Sequence, residues 1–203
     1  MNKTVVGLVG EIASGKSTVA QFLEEAFGSA TISFSEPLRS ILNTLGLPQS
    51  RKNLVWLGED LRKRFGQHIL AQAVFKMVNE SQAPLVCLPN VRLEGDVIFL
   101  KTLPNFFLVS INTEQRLRYE RLIKRGQNTD DTTKTWEEFL ADSELPTEIT
   151  IREVTKNAKF SIDNNADLAG LFKQVREMIE KVRGKNTPGN KSDTNCQRRY
   201  LNA

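Results

Sequence analysis

The segment Thr4-Val5-Val6-Gly7-Leu8-Val9-Gly10-Glu11-Ile12-Ala13-Ser14-Gly15-Lys16-Ser17-Thr18-Val19 decides how the chain is read. It opens with an apolar run of strand length, passes through a complete G-x-x-x-x-G-K-S pattern from Gly10 to Ser17, and leads directly into a stretch of helical period. Glycines at positions 10 and 15 let the backbone curl, so that successive N–H groups and the following helix N-terminus face one point. An anionic oligophosphate fits that arrangement. Lys16 is expected to reach the β and γ phosphates and Ser17 to ligate Mg²⁺, with Thr18 assisting at the α phosphate. The cofactor-binding set is therefore Gly10, Ala13, Ser14, Gly15, Lys16, Ser17 and Thr18, with ATP and Mg²⁺ as cofactors.

Outward from this loop, apolar runs alternate with helical segments, the pattern of an α/β fold with a parallel sheet covered on both faces. Five strands are expected: Thr4 to Val9, Ala30 to Phe34, Leu85 to Leu88, Phe106 to Ile111 and Phe160 to Ile162. Between the second and third lie three helices, Leu38 to Leu45 after Pro37, Asn53 to Arg64, and Ile69 to Asn79, which form a lobe beside the sheet. Thr113 to Arg125 reads as a helix with Thr113 as N-cap and Gly126 as terminator. The polar stretch Gln127 to Lys134 and the helix from Trp136 make a candidate mobile lid, and Asp167 to Val182 is an amphipathic closing helix. The Asn- and Lys-rich segment after Arg183 is expected to be a disordered tail.

A length of 203 residues with 39% apolar side chains suits one substantial core. Most of the net charge of +4 is carried by the tail: four of the 28 basic and one of the 24 acidic residues follow Arg183, leaving 24 against 23 in the body, or +1. A nucleic-acid face spread over the body is not implied. Cys87 and Cys196 have neither pairing nor metal spacing, no run approaches a membrane span, and the start runs straight into a strand. The expected setting is the reducing cytoplasm. Oligomeric state is not legible.

The loop alone does not choose among GTPase, ATPase and kinase. A guanine-reading Asn-Lys-x-Asp is missing, and the third strand ends Cys87-Leu88-Pro89-Asn90, without the carboxylate of a motor ATPase. What the chain offers is Arg116, Arg118, Arg121 and Arg125 on one helix, the last three sharing a face. Phosphoryl transfer between bound molecules needs such cations, since charge spreads over several oxygens in the transition state. It also needs a lid that excludes water. Arg121 and Arg125, nearest the lid, are read as catalytic, and Arg116 as a solvated charge balanced by Glu114 and Glu120.

Four segments across most of residues 4 to 182 resemble dephospho-CoA kinase and the phage-type deoxynucleoside monophosphate kinases. They are Gly7 to Val19, the pair Phe34-Ser35-Glu36-Pro37-Leu38-Arg39 and Leu57-Gly58-Glu59-Asp60-Leu61-Arg62, the stretch Pro89-Asn90-Val91-Arg92, and Ile162-Asp163-Asn164-Asn165. The resemblance implies a three-layer P-loop fold, an acceptor lobe from about 37 to 80 and a lid from about 126 to 145 within a kinase domain of residues 1–183. It implies that Arg39, Arg62 and Arg92 hold the acceptor and that Asn164 and Asn165 lie near adenine. Arg92 also sits just past a strand's C-terminal end, where open α/β sheets bind ligands. The sequence departs from the pattern at Asn90, where the family has an acid, and at Glu36, where a shorter Asp is expected.

The implied acceptor is a nucleoside or deoxynucleoside monophosphate, whose phosphate oxygen is already anionic. In the alternative, a dephospho-CoA-type hydroxyl acceptor, Glu36 would take the proton. A non-catalytic ATP sensor is the rival from another class, motivated by Asn90. His68 is read as structural or surface, and Trp56, Phe65 and Phe75 as lobe core.

Overall fold

The computed structural model describes residues 3–125 and 131–184. Within them the chain runs β1 (Thr4–Val9), α1 (Lys16–Phe27), β2 (Ala30–Thr31), α2 (Glu36–Thr44), α3 (Arg51–Phe65), α4 (Ile69–Glu80), β3 (Leu85–Leu88), α5 (Glu94–Leu100), β4 (Phe106–Asn112), α6 (Gln115–Arg125), a 3-10 turn (Asp131–Thr133), α7 (Trp136–Ser143), α8 (Pro146–Lys156), β5 (Phe160–Asp163) and α9 (Leu168–Arg183). The five strands form one sheet in the order β2-β3-β1-β4-β5, and every pairing is parallel. This is the expected α/β fold with helices on both faces.

β1 lies at the centre, with both neighbours in register from Val5: Val5 opposite Val86 of β3 and opposite Phe106 of β4. Its alternation sends Val6 and Leu8 to one face and Val5 and Val9 to the other, and both faces are covered. On the first face α1 and α9 close over the sheet, with Phe22 and Phe172 stacked at 4.1 Å between ring centroids. Val74 and Val78 of α4, Val97 and Leu100 of α5, and Ile151 and Val154 of α8 cover the second. At about 1.5–3 kcal/mol per fully buried aliphatic or aromatic side chain, these two layers fix the strand order and hold the C-terminal ends of β1, β3 and β4 side by side.

Several sequence expectations need correction. β2 stops at Thr31, because from Ser33 the chain already turns into the head of α2, where the Glu36 carboxylate accepts from Ser33 N. α5 and α8 are additional helices not anticipated. Trp56 and Phe65 are not lobe core: they are 50% and 64% exposed on α3, whose buried contact is made at Gly58 against Leu38 and Leu70. Phe75 does pack, half-buried, with its ring edge-on to Phe99 at 5.7 Å. Thr113 is not an N-cap, since α6 starts two residues later and the Thr113 hydroxyl is turned toward the loop after β1. Gly126, the first half of Gln127 to Lys134 (residues 127–130) and the tail beyond Gly184 lie outside the described residues. No helix among the described residues is long and apolar enough to cross a membrane.

Candidate functional site

The loop from Gly10 to Gly15 joins the central strand to α1, and packing from behind sets its shape. A Cβ on Gly10 would fall 2.6 Å from Ile111 O and 2.6 Å from Ser14 Oγ, so only glycine fits between the loop and β4. Ala13 and Gly15 both have positive φ, 59° and 101°, which turn the main chain inward. A Cβ on Gly15 would lie 2.2 Å from Asn164 Nδ2. Asn164 is buried and donates to Ser14 O at 2.8 Å, and Thr113 Oγ1 donates to the same carbonyl at 3.0 Å. The loop is thus held from the β4 and β5 sides. α1 begins with no side chain capping its N-terminus, so its first-turn amides are left to an anion.

Lys16 lies folded into this loop, its Nζ donating to Gly10 O at 2.7 Å and Glu11 O at 2.8 Å. Burial, then the positive charge of Arg92, lowers its ammonium from 10.5 to about 8, with Arg118 and Arg125 adding to the shift and Glu148 opposing it. Arg92 from the β3–α5 connection and Arg125 from the end of α6 therefore bear on the same point. Ser17 is exposed at the loop mouth.

Of the other predicted residues, Arg121 donates through Nη2 to Asn164 O at 3.0 Å, while its Nη1 is buried and has no partner among the described residues. Asn165 Oδ1 accepts from Glu114 N at 2.7 Å and ties the β5–α9 turn to the start of α6. Glu36 is exposed at the head of α2, and Arg39 donates to Gln49 Oε1 at 3.3 Å, also exposed. Arg62 is turned toward α5, near the buried Asp96; its Nε and Asp96 Oδ1 are both buried without partners. Burial raises the Asp96 carboxyl from 3.8 to about 6, against the opposing pull of Arg62 and His68. His68 is exposed at the N-cap position of α4 and stacks at 6.2 Å over Phe99, as a surface or structural residue would. The charges of Arg92, Arg118 and Arg125 bear on Lys16, whereas Glu36, Arg39 and Arg62 stand on α2 and α3 of the helical lobe. Arg116 faces outward, paired with Glu120 at 3.4 Å as read and lying over the rings of Tyr119 and Trp136.

Sequence reasoning missed a second charged layer. Glu11 Oε2 sits 3.1 Å from Arg118 Nη2, and Glu11 Oε1 sits 3.6 Å from Arg152 Nη1. Glu148 Oε2 accepts from Ile12 N at 3.3 Å. Glu148 and Arg152 stand four residues apart on α8, just after Pro146, so the signal for a helix face turned to the loop was available. Arg118, on the helix face it shares with Arg121 and Arg125, is buried against Glu11.

No protein-family profile matches the chain. A UPF0200 protein of Thermococcus gammatolerans is 30% identical over 191 residues, covering 91% of this chain and 99% of its own. A second, of Methanothermobacter thermautotrophicus, is 26% identical over 190 residues, covering 90% and 92%. Among solved structures, shikimate kinase from Bacteroides thetaiotaomicron superposes with a TM-score of 0.58 at 13% identity over 89% of this chain and 99% of that one. The Mycobacterium tuberculosis APS kinase, solved in complex with AMPPNP and APS, gives 0.50 at 17% identity over 90% and 99%. The fold is that of small-molecule P-loop kinases.

Proposed function

The chain belongs to the UPF0200 family, and we propose that it is an ATP-dependent phosphotransferase that moves the γ-phosphoryl group to a nucleotide-type acceptor. The observation that carries this reading is the loop itself, where Gly10 has no room for a Cβ and Lys16 is folded onto the carbonyls of Gly10 and Glu11, with the positive charges of Arg92, Arg118 and Arg125 bearing on the Lys16 ammonium. A loop that only binds nucleotide needs one cation. Transfer between two bound molecules needs several, aimed at oxygens on both sides of the moving group.

In this reading the amides from Gly10 through Thr18 cradle the triphosphate and Lys16 leaves its carbonyl partners for the β and γ oxygens. Asn164 and Asn165 support the adenine side, Arg121 and Arg125 stabilise the transferring group, and Arg92 meets the acceptor. The helical lobe from about 37 to 80, with Glu36, Arg39 and Arg62, receives the acceptor, and the segment from about 126 to 145 closes over it. Among the described residues no group of three or more His, Cys, Asp or Glu could hold a metal ion. That suits Mg²⁺, which keeps few protein ligands: the Ser17 hydroxyl would hold it together with phosphate oxygens. When bound, the ion would supply neutralisation of the phosphate charge.

A hydroxyl acceptor of dephospho-CoA type is the second reading. It is favoured by Glu36, an exposed carboxylate at the head of α2 that accepts a long hydrogen bond, 3.4 Å, from Ser33 N. Coupled measurement of ADP formation with a panel of nucleoside monophosphates and dephospho-CoA tests both. Acceptor-dependent turnover that disappears in Lys16→Ala is the expected result. ATP binding without turnover on any acceptor would leave a nucleotide sensor, and ADP release independent of acceptor would leave a hydrolase.

A further inference from the structure

Glu11 is the second residue of the phosphate-binding loop, and it lines a cavity of about 140 Å³ together with Gly10, Ser14, Thr113, Arg118 and Arg152. An acid beside a triphosphate cradle is electrostatically adverse unless it is neutralised, and two arginines do that here. The two are not equivalent. Arg118 is 3% exposed and donates in addition to Thr113 O at 3.2 Å and Ile12 O at 3.4 Å, so it is built into the loop. The Arg152 side chain is 35% exposed. Its partners are Ser143 O at 2.9 Å, the largely exposed carboxylate of Glu144 at 3.3 Å, and Glu11 at 3.6 Å, the loosest contact of the set.

Lys16 behaves in the same way. Its ammonium is held by two carbonyls of the loop itself, including that of Glu11. Lys16 and Arg152 thus each have a contact with a loop group that a phosphate can replace.

We propose that Glu11 stands in for an anion: it holds Arg152 beside the loop and gives it up to the terminal phosphate of a bound nucleoside triphosphate, so that the Glu11–Arg152 pair sets the preference for triphosphate over diphosphate. The proposal rests on the nucleotide-binding reading given above. A planar guanidinium pairs with a carboxylate or a phosphate in the same forked geometry, and the phosphate carries the larger charge. Arg118 stays behind to neutralise Glu11 after the exchange, because three of its nitrogens are already committed, to Thr113 O, Ile12 O and Glu11. A diphosphate, one group shorter, leaves Arg152 on Glu11. Product release is thereby favoured by the same acid that parks the arginine. Glu11 and Arg152 are positioning and specificity residues in this scheme.

Titration calorimetry of a non-hydrolysable ATP analogue and of ADP against the full chain tests it, in wild type, Glu11→Gln, Arg152→Ala and the double variant, each checked by thermal melting. Glu11→Gln is expected to tighten the triphosphate by about fivefold, the worth of a partly exposed ion pair, and the diphosphate by less than about twofold. The gain should vanish in the double variant, and Glu11→Asp should behave as wild type. Should Glu11→Gln melt early, Arg152→Lys gives the same reading: it keeps the charge, loses the fork and should shrink the ratio of triphosphate to diphosphate affinity. Equal shifts for both nucleotides, or an unchanged ratio in Glu11→Gln and Arg152→Lys alike, would overturn the proposal. Failure of the underlying reading looks different: wild type would then bind neither nucleotide in a Lys16-dependent manner, and the proposal would fall with it.

Discussion

Gly15→Ala strikes the point where fold and site are the same structure. The residue has φ 101°, and an added Cβ would lie 2.2 Å from Asn164 Nδ2. Holding alanine at positive φ costs roughly 1–2 kcal/mol. Relieving the overlap means displacing a buried asparagine from its 2.8 Å bond to Ser14 O, and a buried polar group left without its partner costs roughly a further 1–3 kcal/mol. The sum, about 2–5 kcal/mol, corresponds for a chain of this size to a melting temperature lower by about 5–15 °C. The Ser14 carbonyl keeps Thr113 as a donor at 3.0 Å, so the loop is expected to deform and not to unfold alone. ATP affinity should therefore fall at least about tenfold as the amides lose their common focus. Adding Asn164→Ala removes the overlap but not the φ strain, so the double variant should be less destabilised than the sum of the singles by about 1 kcal/mol or more. Thermal melting and titration calorimetry on the four proteins read all of this. A Gly15→Ala protein that melts within about 2 °C of wild type, or strictly additive singles, would refute the reasoning.

Asp96 has a folded-state value near 6 against 3.8 for the free group, so the native chain binds the extra proton and stability declines as pH rises through that window. Asp96→Asn should remove the decline and gain about 1–3 kcal/mol at pH 7.5 with no gain near pH 4, as read by urea melts at the two values. Lys16 is displaced the other way, from 10.5 down to about 8, so the ligand-free fold gains stability as pH rises from about 8 toward 10.5, where only the unfolded chain still holds the proton. Triphosphate binding should restore the proton, and calorimetry at pH 8.5 in buffers of different ionisation enthalpy should show uptake of about 0.7 proton per ATP; Lys16→Arg should show none. Cys87 is buried in β3 and its thiol is pushed up to about 12 by that burial, so it should stay unmodified by a thiol reagent at pH 8 until the protein is unfolded, as mapped by mass spectrometry.

How much was legible follows from how far each signal reaches along the chain. The run from Thr4 to Ser17 carries its whole meaning locally, in apolar alternation followed by glycines at fixed spacing, and β1, the loop and α1 appear as read. β3, β4, β5 and the helices of the lobe were legible within a few residues for the same reason. α5 was not, because seven residues with Val97 and Leu100 as its buried apolar pair are too few to show a helical period. Trp56 misled because helical spacing does not say which face meets the core: Gly58 faces it, and Trp56 stays half exposed. The site divides along the same line. The cradle was readable, whereas the pairing of Glu11 with Arg118 and Arg152 joins three elements distant in sequence and exists only once α6 and α8 are packed beside the loop. Asn164 shows both sides of this. A turn before the last helix could be seen, but its side chain's place behind the Gly10–Gly15 loop, bonded to Ser14 O, could not.

The central claim is that this loop grips a nucleoside triphosphate through its amides and Lys16. Calorimetric titration of ATP with Mg²⁺ into the wild-type chain and Lys16→Ala addresses it most directly. Saturable one-to-one binding in wild type, weakened by about a hundredfold or more in Lys16→Ala, is the expected outcome. No heat of binding in wild type, or equal affinity in the two proteins, would contradict it.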